Sequence, residues 1–510
     1  MQIERSSEWK DGFQERLESR KEWDNWTLYN MSYEVEKAKL ITNFHGLQCP
    51  KYLPGLKPFA HQLEAAETVI ERMNGKAILA DEVGLGKTIE AGLILKEYLI
   101  RGLVKKALIL TPASLMNQWI TELNQKFHIP AMPFHKKYDL SQCNIVVVSI
   151  DMAKRSPHKE NIYKQDFDLI IIDEAHKLKN HKTKNYEFVQ NLKKKFCLLL
   201  TATPIQNDVF ELFNLISLLK PGHLGNFETF QSVFSAGKHH VDEDDFLKEL
   251  IHQVMVRNSR QDTRIEWTNR RVQIMPIEFS AEEKEIYQSI LELKQISTLF
   301  SDAFTLLTLQ RELCSSKEAA YLTLEKVREK CGKPEELAAV DSILRNLREL
   351  RINSKAEKAY EIIEQAQDKV IIFTEYRASQ AFLQAYLHSK GITSVLFNGK
   401  FNKSKREWMK QLFRDQAQVL IATESGSEGI NLQFCHHVIN YDLPWNPMKL
   451  EQRIGRVHRL GQTEDVHIYN LAIRDTIEDS ILELLQGKID VFEQVVGELD
   501  DILSEYRMSI

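Results

Sequence analysis

Between about residues 76 and 220, short apolar runs alternate with longer stretches whose apolar positions recur at helical spacing. The runs fall at 76–80, 107–111, 145–149, 169–173 and 196–201, and amphipathic pieces such as 89–101 and 115–127 lie between them. Strands that are apolar along their whole length are buried on both faces, so this alternation predicts a parallel sheet covered by helices on each side. The same rhythm restarts at 370–373 and continues at 394–398, 419–422, 437–441 and 466–471. The expected fold class is therefore α/β, in two consecutive units. From 221 to 353 the chain is charged and, apart from 271–279, lacks strand rhythm, while 281–313 and 335–350 read as amphipathic helices. The boundaries that follow are an N-terminal helical arm at 1–50 and a first α/β unit at 51–220. A helical connector at 221–353, a second unit at 354–475 and an acidic C-terminal helix at 476–510 complete the chain. The arm holds Trp9, Trp23 and Trp26. The last segment places Ile477, Ile481, Leu484, Phe492, Val495, Leu499 and Ile502 on one amphipathic face.

Composition narrows the class without naming a function. The 510 residues are 43% hydrophobic, which is enough to build a core in each unit and excludes a disordered or low-complexity chain. The longest apolar runs fall far short of a roughly 20-residue membrane span, and the opening MQIERSSEWK has no apolar core for a secretory signal. Six cysteines lie far apart with no C-x-x-C pair, which argues against a disulfide framework or zinc site and fits a reducing cytoplasm. A net charge of −5 reads at first as evidence against a nucleic-acid binder. From Thr476 onward, however, nine acidic residues face two basic ones, so the acidity belongs to the tail and the preceding 475 residues sum to +2. Phosphate contacts are local, and basic clusters at 182–195 and 400–414 are candidates for them.

Three constellations carry chemistry. Gly84, Gly86, Lys87 and Thr88 follow the first strand and open a helix. A glycine-rich turn there lets backbone N–H groups face phosphates, lysine adds positive charge, and the threonine hydroxyl suits magnesium. The strict phosphate-binding loop begins with glycine where this chain has Asp81. Asp173 and Glu174 end the strand at 169–172, at the edge of the sheet where α/β ligands bind. Asp173 can hold magnesium through water, and Glu174 can orient or deprotonate an attacking water. Gln452, Arg456 and Arg459 belong to a third run, in the second unit; the two arginines are three apart and share a face if the segment is helical. Guanidinium groups suit the charge that develops on a transferred phosphoryl group.

Together these residues resemble the core of helicase superfamily two, in its Swi/Snf branch, over residues 56–488. The resemblance rests on Phe59-x-His61-Gln62, DEVGLGKT (81–88), Leu110-Thr111-Pro112 with Trp119, DEAHKLKN (173–180), LLLTATPIQN (198–207), IIFTEYRAS (371–379), TESGSEGINL (423–432), DLPWNP (442–447) and EQRIGRVHRLGQ (451–462). Asp81 is usual in this branch, and Met255-Val256-Arg257 fits its segment after the first lobe. The Asp-Glu-Val spelling followed by IEAGLIL is most similar to the bacterial branch typified by the RNA-polymerase-associated (RapA-like) ATPase. The resemblance implies two tandem RecA-like lobes with ATP and magnesium between them. It implies that Gln62 recognises adenine and that Gly86, Lys87 and Thr88 hold the phosphates and metal. Asp173 and Glu174 would bind magnesium and position water, and Arg456 and Arg459 would act as arginine fingers beside Gln452. Thr201 and Thr203 would couple nucleotide state to lobe movement. Thr111, Ser149, Thr374 and Thr423 would contact a DNA backbone, and Trp445 would either contact DNA or pack its own loop.

The implied function is an ATP-dependent translocase on double-stranded DNA that remodels or displaces DNA-bound protein without separating strands, in the cytoplasm and on the nucleoid. A strand-separating helicase and an accessory factor with secondary ATPase activity stay open as alternatives. RNA polymerase or another DNA-bound protein is the implied partner class, although 510 residues leave little room for the additional flanking domains of the RNA-polymerase-associated ATPase, so that polymerase binding does not carry over with the resemblance. No membrane is implied.

Overall fold

A computed structural model describes residues 26–39, 46–134, 143–205, 210–234, 249–263, 265–296, 303–399, 401, 403–423, 430–495 and 503. The first 25 residues of the expected arm, 424–429 of TESGSEGINL and nearly all of the tail beyond 495 lie outside them. Residues 1–47 form a unit of their own. Its described residues are 26–39 and 46–47; on the helix Trp26–Lys39, Trp26 stacks on Tyr29 and Tyr29 on Tyr33, all three exposed.

Among the described residues, the unit 48–510 holds two sheets in which every strand pairing is parallel. The first has seven strands in the order β3-β4-β2-β5-β6-β1-β7. These are β1 (Lys76–Leu79), β2 (Ala107–Thr111), β3 (Ala131–Pro133), β4 (Ile145–Ser149), β5 (Phe167–Asp173), β6 (Lys194–Leu200) and β7 (Met255–Val256). The second has six, in the order β10-β11-β9-β12-β13-β8. These are β8 (Arg270–Ile277), β9 (Val370–Thr374), β10 (Ser394–Phe397), β11 (Val419–Thr423), β12 (His437–Asn440) and β13 (Val466–Ile473). The protein is thus α/β, with two tandem RecA-like lobes. Alternation along a strand separates the two faces of the second sheet. Val370, Ile372, Val419 and Ile421 enter one core cluster, while Ile371, Phe373, Leu420 and Ala422 enter another. Because all strands run the same way, their carboxyl ends gather on one edge, where ligands of such sheets bind.

The segment expected as a connector is divided between the lobes. β7 pairs with β1, Ile78 opposite Met255, and so closes the first sheet. β8 pairs with β13 over its full length and forms the edge of the second. Its R-R-V-Q-I-M-P-I sequence is only partly buried, as an edge strand allows, which is why it carries a weak apolar signal. The helices Ala281–Ile296, Ala303–Ser315, Lys317–Arg328 and Pro334–Glu349 pack onto the second sheet, with Ile290, Leu309, Leu324 and Val340 in the same cluster as Ile372 and Ile439. The helix Ile477–Val495 closes the other face through Ile481, Leu482, Leu485 and Ile489. Leu484, placed on the apolar face by spacing alone, is 38% exposed, because the buried stripe runs through 481, 482, 485 and 489 and passes it by. Near the start of this helix, Glu478 accepts from Lys355 Nζ at 2.5 Å, both side chains being buried. Among the described residues no helix is long and apolar enough to cross a membrane.

Candidate active site

The phosphate-binding loop hangs between β1 and the helix Lys87–Ile100. Gly86 caps that helix at φ +97°, a left-handed value that a side chain would strain, and a Cβ there would lie 2.5 Å from Gln62 Nε2. Lys87 turns its ammonium back onto the loop, donating to the carbonyls of Asp81 (2.5 Å) and Glu82 (3.1 Å). Asp81 is fully buried and accepts from the backbone and side-chain amide of Asn258 at 2.8–3.0 Å. That explains aspartate at the loop's first position: its carboxylate receives the chain leaving β7. Beneath it, burial and then the Asp81 carboxylate hold Glu90 well above the ordinary carboxylate range.

Opposite the loop, β5 delivers Asp173 and Glu174. Glu174 has φ 52°, uncommon for a residue with a side chain. Its N–H donates to Asp173 Oδ1 at 2.8 Å, and Trp119 Nε1 donates to the other oxygen, Oδ2, at 2.7 Å. Both carboxylate oxygens of Asp173 are therefore oriented from the protein side. Burial, then the charge of Glu174, push Asp173 up. Burial opposes ionisation of Glu174 as well, but it is outweighed by His176, whose Nδ1 lies 3.1 Å from Oε2, and by the charges of Arg456 and Lys87, so Glu174 is held down. Glu174 is thus the more readily ionised of the pair, fit to orient a water.

The second lobe closes the site. The helix Pro447–Ile454 ends before both arginines, so Arg456 and Arg459 do not share a helix face; they follow in successive turns. The turn is set by Gly455, where a Cβ would meet Val83 Cγ1 at 2.2 Å, and by Gly84, whose Cβ position lies 3.3 Å from the His458 carbonyl. The loop of one lobe thus packs directly on the arginine turn of the other, and Met448 joins the first lobe's core cluster. Burial, with Arg456 beside it, pushes Arg459 down to about 9. Two cations brought together under partial burial make a site that favours an anion.

One cavity of about 260 Å³ collects Gly84, Gly86, Lys87, Thr88, Asp173, Glu174, Thr201, Gln452, Arg456 and Arg459, with the helix Met116–Gln125 on its rim through Gln118 and Glu122. Other expected residues stand elsewhere. Gln62 is buried, accepts from Phe59 N–H and donates to the Leu85 carbonyl, so its amide braces the loop in this structure. Thr203 is buried behind Thr201, to which its N–H donates. Thr111, Ser149, Thr374 and Thr423 do lie at the carboxyl ends of β2, β4, β9 and β11, but all four are buried. Thr374 donates to Asp442, while the Thr423 hydroxyl has no partner among the described residues. Trp445 is half-buried with the Arg311 guanidinium 5.1 Å above its ring, which favours packing of its own loop. Sequence reasoning did not find Asn258 or Arg260, which lie about 180 residues from the loop they hold; nor did it find a partner for Trp119, which is 54 residues from Asp173.

Comparison with known proteins agrees with this geometry. The SNF2-related domain matches residues 61–334, and the helicase conserved C-terminal domain matches residues 354–461. The chain is 56% identical over 508 residues to a protein of Bacillus subtilis (strain 168) described as the uncharacterized ATP-dependent helicase YqhH, covering 99% of this chain and 91% of the relative. Two structures of the Sulfolobus solfataricus SWI2/SNF2 ATPase core share 23% identity with it. The one in complex with dsDNA covers 87% of this chain and 95% of its own, with a TM-score of 0.41. The core domain alone covers 89% and 94%, with a TM-score of 0.40. The domain order, the near-complete match to the Bacillus relative and the two-lobed nucleotide cavity make this chain a member of the SNF2-related family, a helicase-type, nucleic-acid-dependent ATPase.

Proposed function

We propose that the protein is a translocase on double-stranded DNA that hydrolyses ATP between its lobes and remodels or displaces DNA-bound protein without separating strands. One observation carries the reading: the loop and acidic pair of the first lobe and Arg456 and Arg459 of the second line one cavity. Hydrolysis that needs both walls is tied to closure of the lobes, and a closing stroke can become movement along a track.

In this reading Lys87 exchanges its loop carbonyls for the β- and γ-phosphates, and the amides at the start of Lys87–Ile100 receive the phosphate charge. Glu174 orients the water, and Arg456 and Arg459 take up charge on the transferred group. The donor set fits magnesium, with hard oxygens from Thr88 and Asp173 on the same cavity; when bound, the ion neutralises phosphate charge. Thr201 and Thr203 would relay the state of the cavity to β6. Recognition of adenine by Gln62 would require its bonds to Phe59 and Leu85 to be exchanged.

Support for duplex DNA comes from the basic helix Lys403–Asp415, with Lys405 and Arg414 exposed; the small hydroxyl residues at four strand ends are buried and would join it only after rearrangement. Such groups grip phosphates without reading bases, as sequence-independent movement needs. Within the family, the spelling of the phosphate-binding loop supports a place nearest the bacterial RNA-polymerase-associated branch, and co-purification with RNA polymerase checks that partner. The deciding experiment measures ATPase rate with no nucleic acid, duplex DNA, single-stranded DNA and RNA. Strong stimulation by duplex, with no strand displacement, is expected; stimulation by RNA alone would sink the proposal.

A further inference from the structure

The chain leaving β7 runs alongside the phosphate-binding loop before it reaches the second lobe. Ala80 N–H donates to the Val256 carbonyl and Glu82 N–H to the Asn258 carbonyl. Asn258 takes the Asp81 carboxylate, and Arg260 N–H donates to Glu82 Oε2 at 3.1 Å. The Arg260 side chain, 3% exposed, then reaches both lobes. One guanidinium nitrogen donates to the Val83 carbonyl at 2.6 Å and to the His458 carbonyl at 3.4 Å, and it lies 3.5 Å from Glu451 Oε1. Its other terminal nitrogen lies 3.7 Å from Glu82. The guanidinium stacks over Trp267, 5.1 Å from the ring centre, and Trp267 meets the His458 ring edge-on.

The far end of the segment grips the same place. Arg270, on β8, makes a two-bond pair with Glu451 at 2.7 and 2.9 Å, and its Nε donates to His458 Nδ1 at 2.9 Å. His458 Nε2 must then carry the proton, and it donates to the Thr268 carbonyl at 2.9 Å. Glu451 and His458 flank Gly455, Arg456 and, one residue further on, Arg459. The two walls of the nucleotide cavity are therefore joined by one stretch of chain.

We propose that Arg260 is a positioning residue for ATP hydrolysis, holding the arginine turn at a fixed spacing from the phosphate-binding loop so that Arg456 and Arg459 reach the cavity. The inference rests on the reading above that these two arginines act on the phosphates. Stability alone does not account for so many buried charges, since a buried ion pair contributes little net stability once desolvation is counted, whereas it fixes geometry well. Arginine suits the place because its planar fork bonds several partners at set angles, whereas a lysine ammonium is a compact point charge without the two separated nitrogens that reach Val83 and Glu82 here.

The test uses the full chain with Arg260→Gln and Arg260→Lys, and Glu174→Gln and Arg456→Ala as controls. ATPase kinetics, binding of a fluorescent ATP analogue and thermal unfolding are measured for each. Amide exchange is followed with ATP bound in the Glu174→Gln background. Expected for Arg260→Gln is a fall in kcat of about tenfold or more with KM for ATP within about threefold, the pattern of an interaction that matters in the transition state. Exchange at 455–462 should rise while that of the two sheets is unchanged. A kcat within about twofold of the parent, or equal losses of kcat, ATP affinity and melting temperature, would overturn the proposal. If Arg260→Gln does not fold, Arg260→Lys is judged by the same criteria. Controls that keep turnover would instead refute the roles of Glu174 and Arg456, which separates failure of that reading from failure of this one.

Discussion

Gly455 is glycine because Val83 of the other lobe occupies the space a side chain would take, 2.2 Å from the Cβ position. Gly455→Ala should push the arginine turn off the loop and lower kcat by about tenfold or more, with ATP binding retained. Val83→Ala on the same chain should restore part of the loss, and steady-state kinetics of the single and double variants would show it. Glu174 poses the complementary case, in which backbone strain aims the group. Its left-handed φ points the carboxylate at the cavity, and His176 and Arg456 keep it ionised. Glu174→Gln should bind ATP and DNA like the parent and lose turnover; hydrolysis near the parent rate would rule out the assigned role.

The helix Met116–Gln125 acts as an element, because one face fills the first lobe through Trp119 and Leu123 while its rim borders the nucleotide cavity. Trp119→Phe keeps most of that packing and removes only the N–H that orients Asp173. The expected outcome is an intact fold with a higher magnesium requirement, read as a shift in the magnesium titration of nucleotide binding. At the start of β12, His437 stacks on His467 with the rings 4.9 Å apart. Burial, then the charges of His436 and His467, lower its pKa from 6.5 to about 4, against the weaker pull of Asp368. Between those values the unfolded chain holds a proton that the folded chain does not, so stability falls as pH drops from about 6.5 toward 4. Chemical denaturation across that range should show a shallower slope for His437→Phe, which keeps the stacked ring and cannot titrate.

At the scale of the whole molecule, the two lobes meet where the loop and the arginine turn pack together, and the link between them is built from strand edges. The proposed track requires the groups that grip it to be mostly phosphate-directed. Stimulation of the ATPase by duplex DNA should therefore weaken steeply and log-linearly with salt and be indifferent to sequence, as measured across a salt series with duplexes of different composition. A salt-independent or sequence-selective response would argue for base readout.

Much of this was legible in the chain itself, for a local reason. A parallel strand buried on both faces is written as an apolar run, so β1, β2, β4, β5, β9, β11 and β12 announce themselves, and the residues at their ends announce the edge. Lys87, Thr88, Asp173, Glu174, Arg456 and Arg459 were readable because each sits in a contiguous motif. β7 was not, because an edge strand of two residues leaves no pattern, and β8 showed its strand rhythm at 271–279 but not the sheet it joins, which depends on a neighbour far away in sequence. The partners of Asp81, Asp173 and Glu451 were equally hidden, since Asn258, Trp119 and Arg260 meet them only through folding. The sequence by itself determined two nucleotide-type lobes and the chemical groups each contributes. Only the tertiary structure decided that those groups face one cavity, that the arginines leave their helix to reach it, and that the linker holds both walls. Motif and strand signals are local in the chain, whereas the spacing between lobes arises from contacts among residues roughly 180 to 200 positions apart.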